Sequence, residues 1–225
     1  MCIRDRILTL AHKVSAFTTT YKKQLIIAAS LLVAIVVIIS GYSLVRSQQE
    51  RKAAPLVAVA YNYYSPASGV SADYNKALGL FRDIQKDYSG TKSGAIAQYY
   101  IGNCLVNLGQ LDEAIKEYGN FVNKYSSDKL LLGLVYQRMG YVYTILGKRS
   151  DAVKAFEQSE AAAGPGVATM ELARLYETSG NMPESQKKYK LVMDKLAGTS
   201  WAMEAMGKLQ AITPVQQPAA AQSGK

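Results

Sequence analysis

Histidine is almost missing from this sequence: His12 is the only one in 225 residues. It lies far from any cluster of possible ligands, which argues against a metal site. Cysteine is nearly as scarce, with only Cys2 and Cys104. Two thiols so far apart give neither a disulfide framework nor a thiolate metal site. Cys104 sits inside a helical pattern and reads as a small buried apolar side chain. No Leu-x-x-Cys follows the long apolar run, so a lipoprotein anchor is not indicated. Also missing are G-x-S-x-G, a phosphate-binding glycine loop, H-E-x-x-H and any paired-cysteine motif. The carboxylates are scattered along solvated helix faces, as in "DEAIKEY". With no nucleophile or general base to nominate, the sequence reads as a non-enzyme that needs no cofactor.

A surplus of one charge sign is present, but it is local. The formal net charge is +9. Residues 1–24 hold Arg4, Arg6, Lys13, Lys22 and Lys23 against Asp5, a net +4. Residues 46–52 hold Arg46, Arg51 and Lys52 against Glu50, a net +2. The remaining 53–225 carry 18 basic and 15 acidic side chains. The excess therefore flanks an apolar run and leaves the large domain nearly balanced. No basic stripe of the kind that tracks phosphates exists there, so nucleic acid is not an expected partner.

The apolar run is "LIIAASLLVAIVVIISGYSLV", Leu25 to Val45, 21 residues without a charge. As a helix it rises roughly 31 Å, about the thickness of a bilayer's hydrocarbon core. Lys22 and Lys23 close one end and Arg46 the other, with Tyr42 near the second boundary, where amphipathic rings prefer to sit. A cleaved signal peptide would have a shorter core and small residues behind it. "SGYSLVRS" offers no Ala-x-Ala, so the expectation is an uncleaved anchor. Five basic residues before the run against three after it place the N-terminus in the cytoplasm and the large domain outside. The string "MCIRDR" resembles an artefactual start found in assembled metagenomic sequences. Without residues 1–6 the count becomes three against three.

Past the anchor one spacing recurs. Gly102, Gly109, Ala114 and Tyr118 are separated by 7, 5 and 4 residues, as are Gly140, Gly147, Ala152 and Phe156. Ala173, Gly180, Ser185 and Tyr189 repeat it with two small-residue changes, and Ala77 with Phe81 matches the second half of a degenerate copy. The steps between copies are 37, 38 and 33 residues. Fixed periods of this size mark stacked supersecondary units. Each position has a physical reason. The first small residue lets a second helix approach closely. The glycine in "LGQ", "LGK" and "SGN" permits the positive φ that stops a helix. Asp112 and Asp151 follow at the start of the next helix, where acids favour the dipole. The Ala is a second close-packing point, and the aromatic is expected to fill the space between one pair and the next.

Two helices in each 33 to 38 residues resemble the tetratricopeptide repeat family. Tyr136, Met139, Gly140 and Tyr143 fit its first-helix signature, and Gln98, Ile101, Gly102 and Leu105 fit it more loosely. Ala114 with Tyr118, and Ala152 with Phe156, fit the second helix. Ser126 stands where the family places a closing proline, and the third copy ends in "GPG". The resemblance covers about residues 70–199 and implies an all-α fold, a single N-terminal transmembrane helix followed by an α-solenoid.

The expected organisation is a basic tail over 1–23, a transmembrane helix over 24–45, a juxtamembrane helical segment over 46–69, repeats over 70–199, a capping helix over 200–212 and a disordered tail over 213–225. In the juxtamembrane segment Ala53, Leu56, Val57, Ala60 and Tyr64 recur at helical spacing, although Pro55 weakens the idea of one unbroken helix. In "GTSWAMEAMGKLQAI", Trp201, Ala205, Leu209 and Ile212 share a face that would close the last repeat. "KKYK" (Lys187 to Lys190) reads as a solvated face.

Stacked pairs present their first helices along one inner wall. Aligning the copies places Tyr99, Asn103, Gln137, Arg138, Tyr141, Met170 and Arg174 there as candidate protein-binding residues, with Asn103 expected to be free of packing duty. The family's chaperone-tail clamp is matched only by Asn103, so that ligand is not supported. The order of parts is also similar to the ancillary translocon-subunit family of the Sec machinery. That resemblance implies a periplasmic adaptor on the bacterial inner membrane, meeting exported proteins, chaperones or translocon components. A self-assembling structural envelope protein, or a coordinator of cell division or outer-membrane assembly, is the alternative.

Overall fold

The computed structural model describes residues 21–212, and its described residues are helical with no strand. Cys2, His12 and the segments 1–20 and 213–225 lie outside the described residues. The helices are α1 (Lys22–Tyr64), α2 (Tyr74–Tyr88), α3 (Lys92–Asn107), α4 (Leu111–Lys124), α5 (Lys129–Ile145), α6 (Arg149–Ala163), α7 (Val167–Thr178), α8 (Met182–Lys195) and α9 (Ser200–Ile212). The chain divides into two units, one up to Lys52 and one from Ala53 onward.

In the first unit α1 is long and apolar enough to cross a membrane, by length and composition. Its large apolar side chains from Leu31 through Ile39 are exposed, as a lipid-facing helix would have them. The helix does not stop at Pro55 but continues to Tyr64. Proline removes one backbone donor, and Pro55 lies on an exposed side where water can satisfy the carbonyl left over.

In the second unit each helix from α2 to α9 packs against its successor in sequence, as short connections require. The final stretch of α1 contributes Ala53 and Ala60, both fully buried, with Val57 and Tyr64 partly buried beside them. Leu56, expected on the same face, is 43% exposed and lines a shallow pocket with Leu80 and Ile84 of α2. The three expected turn glycines have positive φ, 75° at Gly109, 69° at Gly147 and 78° at Gly180. Each is followed by the same backbone closure: the amides of Gln110, Lys148 and Asn181 donate to the carbonyls of Leu105, Tyr143 and Tyr176, all at 2.9 Å. Helix starts are capped where the chain supplies an oxygen: Asp73 accepts from the Lys76 amide, Thr91 from Gly94 and Asp128 from Leu131.

The repeat positions form the core. Ala77, Ala114, Ala152, Ala173 and Ser185 are buried, as are Phe81, Tyr118, Phe156 and Tyr189. The aromatics do not wedge apart successive pairs, as the spacing suggested. The Tyr118 ring lies on Gly102 and the Phe156 ring on Gly140, each within its own pair. A Cβ on Gly140 would fall 2.6 Å from the Phe156 ring. Gly133 makes a further close approach, its absent Cβ 2.5 Å from that of Ala163, while Ser159 Oγ donates to the Gly133 carbonyl at 2.8 Å. At the end of the array α9 buries Ala205 and packs Leu209 and Ile212 against Met170, Tyr189 and Val192. Trp201 stands in the first turn of α9, takes no full part in this cap and remains 38% exposed.

Candidate functional site: the wall of first helices

The last turns of α1, with α3, α5, α7 and α9, make one wall of the repeat unit. Three registers along it are equivalent from pair to pair. One holds Tyr99, Gln137 and Met170, the next Tyr100, Arg138 and Glu171, and the third Asn103, Tyr141 and Arg174. Polar contacts climb from each helix to the next equivalent one. Arg138 Nε on α5 donates to Tyr99 Oη on α3 at 3.4 Å. Tyr141 Oη on α5 donates to Glu171 Oε1 on α7 at 3.3 Å. Arg174 donates from Nη1 to Glu171 at 2.8 Å and from Nη2 to Glu204 on α9 at 2.6 Å.

The seven residues expected to bind therefore have different surroundings. Gln137, Tyr141 and Arg174 are partly exposed and Arg138 is exposed. Tyr99, Asn103 and Met170 are buried. Asn103 is not free of packing duty: its Oδ1 accepts a 2.6 Å hydrogen bond from Tyr118 Oη, deep between α3 and α4. Met170 belongs to the core that α8 and α9 close. Arg174 is held between two carboxylates, whereas Arg138 meets only a tyrosine hydroxyl.

Sequence reasoning missed an aromatic cluster that only the fold assembles. Tyr100 stands at its centre, with ring centroids 5.4 Å from Tyr61, 5.0 Å from Tyr64, 5.1 Å from Tyr99 and 5.1 Å from Phe81. Most contacts are edge-on, the arrangement favoured by ring quadrupoles. Burial, reinforced by Tyr61, Tyr99 and Tyr64, pushes the Tyr100 hydroxyl up to about 12. Burial also raises Tyr64, an effect that Arg138 and Asn107 beside it oppose. The available signal was the run of tyrosines at 61, 63 and 64 in the juxtamembrane segment.

Charges that read as solvated also find partners. Lys188 of "KKYK" pairs with Glu160, both largely buried, and Thr169 Oγ1 donates to the same carboxylate at 2.8 Å, joining α6, α7 and α8. Glu177 on α7 accepts from Tyr189 Oη at 2.6 Å and from Lys208 Nζ on α9 at 3.1 Å. The Tyr189 hydrogen bond, with Lys208, holds its carboxyl below the usual range. Among the described residues no group of three His, Cys, Asp or Glu could hold a metal ion. Burial pushes the Cys104 thiol up to about 12, which keeps it protonated and unreactive.

Helix pairs repeating around Gly–aromatic contacts, with a polar and aromatic wall along the first helices, define an α-solenoid of the tetratricopeptide kind. The chain belongs to the tetratricopeptide repeat-like domain family, which matches residues 15–213 and so takes in the apolar helix and the cap. Among solved structures, it is similar to a tetratricopeptide repeat protein from Parabacteroides merdae, with a TM-score of 0.57 and 13% identity over 73% of this chain. The chain spans 60% of that protein's length. It is also similar to the nearly identical TPR-like repeats of a Podosopora anserina protein, with a TM-score of 0.55 and 16% identity, covering 72% of this chain and 85% of that one. The family is that of protein-interaction scaffolds and is generally non-catalytic.

Proposed function

We propose that this protein is a membrane-anchored adaptor that binds segments of other proteins on the wall of first helices. Its apolar helix holds it in a bacterial inner membrane with the repeat unit on the periplasmic side, and its work lies in protein export or envelope biogenesis. Exported proteins, chaperones or translocon components are the partners this reading favours. The observation that carries the binding role is the solvent-facing surface that large recognition side chains keep along this wall. Tyr61 is 40% exposed and Arg138 is exposed, while Tyr64, Tyr100 and Gln137 are partly so. Tyrosine and arginine offer large contact area with polar tips, the chemistry of interface hot spots.

The test is site-specific photocrosslinking in intact membranes. Crosslinkers at positions 137 and 138 should capture defined proteins, and one at the exposed Lys154 of α6 should not. Adducts with lipid or with the protein itself alone would overturn the adaptor role. An alkaline phosphatase fused after Ile212 should be active if the repeat unit is external, and inactive if the orientation is reversed.

A further inference from the structure

The two arginines of the wall differ in a way that divides it. Arg174 is bracketed by Glu171 and Glu204, whose two carboxylates offset its charge and repel a further anion. Arg138, one pair earlier, forms none of the ion pairs among the described residues, and its one polar contact is Tyr99 Oη at 3.4 Å. The sequence around it explains this. The stretch Ala53–Tyr64 and the helices α3 and α5 contain no aspartate or glutamate at all. The opposite wall is rich in them, with Asp83 and Asp87 on α2, Asp112, Glu113 and Glu117 on α4, and Asp151, Glu157 and Glu160 on α6.

The acid nearest along the wall, Glu171 on α7, is already paired with Arg174 and Tyr141, so the stretch of wall from Tyr61 to Arg138 presents one unpaired guanidinium and is complementary to a carboxylate. The rings beside it add a second requirement. Tyr61, Tyr64 and Tyr100 meet edge to face and leave partly exposed ring surface. Asn107 stands exposed beside Tyr64, its Nδ2 also donating to the Asn103 carbonyl at 2.8 Å. Such rings accept an apolar or aromatic side chain, and an amide, with two donors and an acceptor, can pair with a passing backbone. One guanidinium matches one carboxylate, as a bidentate pair that lysine could not reproduce.

We infer that Arg138, with Tyr61, Tyr64, Tyr100 and Asn107, forms a subsite for an extended protein segment carrying an aspartate or glutamate side chain next to an aromatic or large aliphatic one. This rests on the adaptor reading and specifies its ligand: the N-terminal half of the wall selects, and the half around Arg174 is closed on itself.

The experiment uses the full chain in detergent micelles and fluorescent peptides blocked at both ends, so that only the side chain supplies a carboxylate. One peptide carries a single Glu beside Phe and Leu, and its twin carries Gln. The Glu peptide should bind about tenfold more tightly, the scale of one charge-assisted pair, and less so at high salt. In R138Q that preference should fall to about one, R138K should keep part of it, and R174Q should keep all of it. Unchanged thermal midpoints would show that the variants fold. Equal affinity of the wild-type chain for the two peptides, or a preference that survives R138Q, overturns the subsite while leaving a protein-binding wall intact. A twin with a free C-terminus and Gln that binds as well as the Glu peptide would reassign the site to chain ends and also overturn it. Binding of neither peptide overturns the subsite, and the crosslinking at 137 and 138 then decides the adaptor role separately.

Discussion

At the scale of single residues, stability concentrates where a hydrogen atom stands in place of a side chain. Gly140 lets the Phe156 ring lie against the backbone of α5, and an added methyl would meet that ring at 2.6 Å. G140A should therefore lower the thermal midpoint, costing about 1–3 kcal/mol as an overpacked core does. Gly79 in α2 offers the matched control, since a Cβ there meets nothing within 4 Å. G79A should be neutral or stabilising by up to about 1 kcal/mol, because alanine favours a helix interior. Equal melting of the two variants would show that the ring contact is not what fixes the glycine. Cys104 gives a second residue-level test. In a C2S background the native thiol should resist an aqueous disulfide reagent and react on denaturation, because it is fully buried and its deprotonation is disfavoured.

At the scale of elements, the third pair is tied to the cap by ions, and the earlier pairs add a ring cluster to the ion pairs Arg82–Glu113 and Lys148–Asp112. Glu177 gathers Tyr189 of α8 and Lys208 of α9. Its carboxyl is held below the ordinary value of 4.5, so its contribution is present above that pH and lost as the pH falls through the lowered folded value. E177Q should remove about 1–2 kcal/mol at neutral pH and flatten the loss of stability below about pH 4.5, read from denaturant unfolding at several pH values. The tyrosine cluster acts at the other end of the scale. Tyr100 is raised from 10.0 to about 12, so its share of stability is full below pH 10 and disappears as the pH rises to 12. Y100F should lessen that alkaline loss. The elements themselves were largely legible in the sequence, since the 7-5-4 spacing reflects contacts inside one helical hairpin. Pro55 was misread because a proline's effect depends on whether water reaches the freed carbonyl, which local sequence does not state.

At the scale of the whole molecule, an array of pairs needs a closed end. Helix α9 covers Met170, Tyr189 and Val192, and a solenoid without such a cap exposes its last apolar face. Truncation after Leu196 should lower the midpoint and cause concentration-dependent self-association in sedimentation, whereas the intact chain should not show that association if its wall is an adaptor surface. A truncated protein with unchanged melting and a single monomeric species would show that α9 is not a cap.

The sequence by itself determined the repeat, the turn glycines, the close-packing positions and the apolar helix. All of these depend on residues within about one helical hairpin, where spacing dictates contact. Tertiary structure alone decided which polar residues are available. Asn103 is occupied by Tyr118, Lys188 by Glu160 and Arg174 by Glu204, across 15, 28 and 30 residues of chain. Arg138 is left unpaired because α3 and the end of α1 bring tyrosines and no carboxylate, while Glu171 on the next helix is taken by Arg174 and Tyr141. A charge's availability depends on what the neighbouring helix presents, and that follows from the stacking of the pairs.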